Sequence, residues 1–288
     1  MDNADINDPL FRQAVEAIDA GNITVLEKVL TDHPRLVKEK LTVPKDGYFK
    51  EPYLLWFIAD NPIRYDKLPP NIVDITKLII QFVKREAADS LPFQLDYTLG
   101  LVATGRIPKE CGVQIELIDT LIDAGAKPGT GIGALAHGNP DAVTHLIKRG
   151  GELSLAVAVC LDLNNEIEKL LELSNNKDKH LALVAAAFYG KKEMLEFLIQ
   201  KAVDVNGYPD RNSGFHSHAT ALHQAVFSGS LDCVKLLIDA GADLSAKDKI
   251  YNGTPLGWAQ YMQQEVNDSE VKKEYKVIEE FLLTLSGK

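Results

Sequence analysis

Long apolar runs are missing from this chain of 288 residues. None approaches the roughly 20 residues that a membrane-crossing helix needs, so no membrane partner is expected. Cysteine is scarce: Cys111, Cys160 and Cys233 lie far apart, in an odd count, with no C-x-x-C. That excludes a disulfide framework and suits a reduced, intracellular chain with buried thiols. Basic residues are outnumbered, 31 Lys and Arg against 41 Asp and Glu, for a formal net charge of −10. A nucleic-acid partner would need a concentrated basic surface, so none is expected. The opening Met1-Asp-Asn-Ala-Asp5 shows no basic region followed by an apolar core; no secretory signal is read there, and a cytoplasmic location is expected. No Ser-His-Asp or Cys-His arrangement can be proposed from residue order. Neither catalysis nor a cofactor is expected.

What is present is helical periodicity broken by glycine. The clearest stretch runs Thr220-Ala-Leu-His-Gln-Ala-Val-Phe-Ser-Gly-Ser-Leu-Asp-Cys-Val-Lys-Leu-Leu-Ile-Asp-Ala-Gly-Ala-Asp243. Thr220 is placed to cap a short helix. His223 carries a polar ring near that helix start, where it can bond neighbouring backbone and tie one unit to the next. Ala225 is small enough for close helix approach, and Gly229 stands where the helix ends in positive φ. Leu231, Val234, Leu237 and Ile238 then recur at helical spacing, and Gly241 ends the second helix.

Thr220, Leu222, His223 and Ala225, with Gly229 and Gly241-Ala242-Asp243, resemble the ankyrin repeat, whose T-P-L-H-x-A signature recurs with a period of roughly 33 residues. Only the proline is missing, replaced by Ala221. A second match, Thr254-Pro255-Leu256, has Gly257 in the histidine place. Ala186, Gly190 and Val203-Asp-Val-Asn206 mark a repeat before the clear one. Further helix pairs are read at 155–173, 132–151, 95–126 (with 105–112 as an insertion), 53–83 across a Pro-rich link, and 11–30. The resemblance implies an all-α, ankyrin-type solenoid of about eight stacked helix-turn-helix repeats with short hairpin loops. One domain, 1–288, is expected: an N-terminal cap over 1–40, diverged and compacted repeats over 41–180, the best-matching repeats over 181–248, and a C-terminal cap over 249–288. Such units bury their apolar faces only by stacking.

The family implies a non-enzymatic scaffold that holds an unidentified partner protein on its concave face and hairpins. A structural or regulatory subunit acting through self-association is the alternative, although a monomer is favoured. A small-ligand cleft or active site among the irregular N-terminal repeats ranks last. Aromatic residues that a loop need not bury are enriched among binding anchors. They select Tyr48, Phe49 and Tyr53 near one turn, and Tyr208, Arg211, Phe215, His216 and His218 in an elongated hairpin, with Tyr251 in the next. The competing reading has these rings folding back over the adjacent repeat. Trp56 and Trp258, at apolar helical spacing, are expected in the core.

Three other patterns are set aside. His216, His218 and His223 could suggest zinc, but no Cys or carboxylate completes a ligand spacing. Gly129-Thr-Gly-Ile-Gly133 lacks the preceding strand of a phosphate loop and reads instead as close packing between repeats. Leu198 with Asp204-Val-Asn206 is similar to the asparagine-hydroxylation pattern of the ankyrin family, yet the same residues form its ordinary hairpin turn.

Overall fold

The computed structural model describes residues 6–42, 49–210 and 214–286. They are helical, with no strand among them, and no helix among them is long and apolar enough to cross a membrane. The chain divides into two compact units, 1–152 and 153–288.

The first unit begins with α1 (Pro9–Asp19) and α2 (Ile23–Asp32). Asp8 starts α1 by accepting from the amides of Leu10 and Phe11 at 3.0 and 3.1 Å, an N-cap that satisfies two orphan donors. A short α3 (Arg35–Lys38) follows. The next pair joins a 3₁₀ helix, Leu54–Ala59, to α4 (Ile72–Glu86) through the Pro-rich link. That link is tied inward by Arg64, whose side chain is solvent-excluded and donates to Asp19 Oδ1 at 2.7 Å and to the Phe57 carbonyl at 2.9 Å. α5 (Leu91–Thr104) and α7 (Gln114–Ala124) make the third pair. Between them, the stretch read as an insertion holds the short helix α6 (Arg106–Glu110). α8 (Ile132–Ala136) and α9 (Pro140–Lys148) make the fourth. Gly131, at φ +70°, lies so close to Val143 that a Cβ there would sit 2.9 Å from Val143 Cγ1. Gly131 is thus a close-packed turn position, whereas a Cβ at Gly129 would meet nothing within 4 Å and one at Gly133 would make ordinary contact with Thr104 Cγ2 at 3.5 Å.

The second unit pairs α10 (Leu155–Cys160) with α11 (Asn164–Leu173), α12 (Asn176–Phe188) with α13 (Lys192–Gln200), α14 (Ala221–Phe227) with α15 (Leu231–Asp239), and α16 (Pro255–Glu265) with α17 (Ser269–Ser286). First helices neighbour first helices, α10 on α12 on α14 on α16; second helices likewise run α13, α15, α17. Leu222, Ala225, Val226, Val234 and Leu237 are buried between them, and each large side chain of this kind contributes about 1.5–3 kcal/mol by leaving water. Gly190 and Gly229 end their first helices at φ +62° and +72°, as their positions demand. Cys160 and Cys233 are buried, but Cys111 is exposed, against the expectation of three buried thiols. It sits at the C-terminal end of the short α6, where its sulfur takes the Leu68 amide at 3.4 Å.

Candidate partner-binding groove

The hairpins on either side of α14 are built by a few side chains with many bonds. His223 has no exposed surface. Its Nε2 donates to the Gly253 carbonyl of the next repeat at 3.0 Å, which leaves Nδ1 to accept from the Thr220 hydroxyl at 2.8 Å and the Thr220 amide at 3.3 Å. The ring is thus neutral and doubly anchored; burial moves its pKa below the usual histidine value, against the pull of the Gly253 bond. This is the tie between repeats that the motif implied.

Asp248 does the same for the following turn. Its carboxylate is solvent-excluded and accepts four N–H groups. Oδ1 takes the amides of Ile250 and Tyr251 at 3.0 and 2.7 Å, while Oδ2 takes the Gly253 amide at 2.8 Å and Trp258 Nε1 at 3.1 Å. Burial alone would raise its pKa; the hydrogen bonds, led by the Tyr251 amide and Trp258, override it and hold the group at about 2.

On the facing hairpin, Phe215 and His216 both take left-handed backbone, at φ 46° and 47°, a costly arrangement for side-chain-bearing residues. Buried Gln224 holds it by donating to the Phe215 carbonyl at 2.6 Å and accepting from His216 Nδ1 at 3.0 Å. Burial keeps His216 below the ordinary histidine pKa. Among the bonds that join the hairpins are the Lys249 amide to the His218 carbonyl at 2.8 Å and the Tyr208 hydroxyl to the Lys247 carbonyl at 2.8 Å.

Between these hairpins and α16 lies an open concavity of about 500 Å³. His216, His218, Tyr251, Trp258 and Tyr261 line it, together with Phe227 and Met262. It opens on the side of the first helices and hairpins. Tyr251 is 78% exposed and Tyr261 58% exposed. A second concavity, about 470 Å³, lies at the start of α12 and is lined by Lys177, Lys179 and Lys201 together with Asp178, Asp204 and Asp210. Its charges answer one another, as in the Lys177–Asp210 pair at 3.2 Å, and Leu181, Val203, Tyr208 and Pro209 supply its apolar lining.

The candidate anchors separate accordingly. Tyr48 and Arg211 lie outside the described residues. His216, His218 and Tyr251 meet in the groove. Tyr208 is half-buried and lines the second concavity instead, its face covered by Lys249 Nζ at 3.9 Å from the ring centroid. Phe49, Tyr53 and Phe215 do not project from their loops: all three are buried. Phe49 packs edge-on against Phe57 at 5.2 Å, Tyr53 against Trp56 at 5.7 Å, and Phe215 against Phe188 at 5.2 Å. Trp56 is in the core as anticipated, stacked on Tyr97 at 3.8 Å. Trp258 is not; it is a half-buried wall of the groove. Tyr261, Met262, Phe227 and Asp248 were not anticipated either. A signal for them existed, since Trp258, Tyr261 and Met262 fall at i, i+3 and i+4 on one helix face.

Asn206 uses its side chain as a strut. Its Nδ2 donates to the Gly241 carbonyl at 3.0 Å and its Oδ1 accepts the Asp243 amide at 2.8 Å.

A model of the family described as ankyrin repeats (3 copies) matches residues 132–248. The inhibitor of Bruton tyrosine kinase from Homo sapiens is 43% identical over 68 residues, covering 24% of this chain and 5% of that protein. Its Mus musculus counterpart is 44% identical over 64 residues, covering 22% and 4%. The chain thus spans only a small part of the length of the curated relatives it matches. The crystal structure of the human ASB11 ankyrin repeat domain is 16% identical with a TM-score of 0.35, covering 94% of this chain and 98% of that one.

Proposed function

Residues 132–248 of this chain are ankyrin repeats, modules that generally mediate protein–protein interactions, and on that premise we propose a non-enzymatic, cytoplasmic scaffold that docks one partner protein in the C-terminal groove. The all-α fold of paired helices is of the ankyrin type. One observation carries the reading: an open concavity of about 500 Å³ keeps Tyr251 and Tyr261 in solvent beside the half-buried Trp258. Exposed tyrosines around a tryptophan are the residues that binding hot spots favour, and insertions in repeat proteins gather on the binding face. Asp248 fixes the Trp258 indole and the backbone of Tyr251 before any partner arrives, which lowers the ordering cost of association.

Affinity capture from native lysate, with the folded protein as bait and mass spectrometry as readout, tests this. A partner should be retained reproducibly by the wild-type protein and lost from a Tyr251→Ala/Tyr261→Ala variant whose circular dichroism is unchanged. Equal retention by both baits would overturn the groove as the docking site.

A further inference from the structure

The groove is aromatic and acidic, and its carboxylate can accept no further hydrogen bond; those three properties together select an occupant. We propose that it receives an Nζ-trimethylated lysine side chain of the partner; this rests on the docking reading above and specifies its chemistry.

The walls come first. The His216 and Trp258 ring centroids are 5.5 Å apart at 81°, and those of His218 and Tyr251 are 5.8 Å apart at 81°. These are edge-to-face contacts, and Trp258 also meets the His223 ring at 5.1 Å, so the ring surface left open to a guest comes chiefly from the exposed Tyr251 and Tyr261, with the half-buried Trp258 behind them. Tyr261 adds another exposed ring from the next turn of α16, and Met262 a polarisable thioether. Ring faces carry negative quadrupole and attract cations within about 6 Å of their centroids, with tryptophan the strongest. Trp258 is further primed, because its indole N–H is bound to a carboxylate at 3.1 Å, which pushes electron density onto the ring.

Charge comes second. Asp248 lines the groove with its carboxylate ionised, and Glu265 lies close enough to Tyr261 to raise the pKa of its phenol. Among the described residues lining the groove there is no lysine or arginine. The nearby Lys249 turns its ammonium onto Tyr208 instead. A positively charged guest is therefore favoured over a neutral or acidic one.

The third property separates a methylated ammonium from an ordinary one. The Asp248 oxygens already accept the amides of Ile250, Tyr251 and Gly253 and the indole of Trp258, and His218 Nδ1 lies 3.2 Å from Oδ1. A carboxylate has about four lone-pair sites, so all are taken. An unmodified lysine would bring three N–H donors that the saturated Asp248 cannot accept; Glu265 beside Tyr261 is left to take one, and losing the water around the others is costly. A trimethylammonium carries the same charge and no N–H. It gains the ring faces and the field of Asp248 while leaving nothing unsatisfied. The space of about 500 Å³ exceeds a single side chain and admits flanking backbone as well.

The test uses the full chain and three synthetic peptides of one sequence, lysine-centred with a flanking arginine, titrated by calorimetry. The central side chain is lysine, Nζ-trimethyllysine, or its uncharged tert-butyl carbon isostere. The trimethylated peptide should bind at least tenfold tighter than either of the others. Tyr251→Ala/Tyr261→Ala should erase that preference. Trp258→Phe, which keeps a ring but cuts the indole bond to Asp248, should reduce it severalfold. Equal binding of the isostere would mean a merely apolar groove, and equal binding of unmodified lysine a merely acidic one; either result, or no binding of any peptide, overturns the proposal. If capture of a partner still depends on Tyr251 and Tyr261 while the peptides bind alike, the docking reading stands and the methyllysine assignment falls. If capture is also indifferent to them, both fall.

Discussion

Asp248 and His223 show how single side chains close the hairpins of this chain. Each is buried and fully bonded, so each is sensitive to the loss of its own charge state. The Asp248 carboxylate titrates at about 2, below its ordinary value of 3.8. A depressed acid contributes stability above its unfolded pKa and loses it as the pH falls through the folded one. The contribution, on the order of 2 kcal/mol, is therefore complete above about pH 4 and lost between there and pH 2. Asp248→Asn should lower stability at pH 7 by about 2–3 kcal/mol, because an amide cannot accept four N–H groups. Urea unfolding should show the gap between the two proteins closing as the pH approaches 2. His223 works in a different window. Its pKa is lowered by burial, so the neutral ring contributes above the unfolded histidine value of 6.5, and the contribution fades as acid protonates it. His223→Ala leaves the Gly253 carbonyl and the Thr220 amide unpaired next to a cavity, and should cost about 2–4 kcal/mol by the same measurement.

At the scale of elements, the glycines make the sharpest comparison. Gly131 and Gly138 both sit at φ +70°, flanking α8. A Cβ at Gly138 meets nothing within 4 Å, whereas one at Gly131 meets Val143 Cγ1 at 2.9 Å. Gly138→Ala should therefore cost only backbone strain, about 1–2 kcal/mol. Gly131→Ala should cost about 1–3 kcal/mol more, since the buried Val143 has nowhere to move. Thermal unfolding of the two variants side by side checks the difference. These positions also explain what the sequence revealed. Glycines at helix ends and small residues at helix contacts are local signals, so the helix pairs were legible along the whole chain. Starts were less so: α12 begins at Asn176, a full turn before Leu181, because Lys177, Asp178 and Lys179 look like a solvated loop until the Asn175 cap is seen. α6 was invisible because Gly105, Pro108 and Gly112 read as breakers. In the groove, Tyr251 was legible as an aromatic with no reason to be buried. Phe215 was not, since its burial depends on Phe188, 27 positions away in sequence and 5.2 Å away in space. Trp258 misled in the other direction. Its apolar spacing suggested the core, but the neighbours of α16 are α14 and α17, and its indole lies on the open side.

For the molecule as a whole, the net charge of −10 bears on how a partner arrives rather than on how tightly it is held. A cationic partner is drawn toward an acidic protein over distances of about one Debye length, roughly 10 Å at 0.1 M salt and 3 Å at 1 M. Insertion of an anchor among Trp258, Tyr251 and Tyr261 acts only at contact, in a partly desolvated space where screening is weak. The two contributions should therefore separate kinetically. Raising sodium chloride from 50 to 500 mM should slow association of the trimethylated peptide by about tenfold while changing its dissociation rate less than twofold, because steering acts on encounter. Tyr251→Ala should do the reverse, speeding dissociation about tenfold or more with little effect on association. Stopped-flow fluorescence of Trp258, which forms a wall of the groove, reads both rates in one experiment. If salt and the tyrosine substitution instead changed the same rate constant, the rings and the protein's overall field would not be acting at separate stages, and the groove would have to be read as a charged surface rather than as a pocket for an anchor.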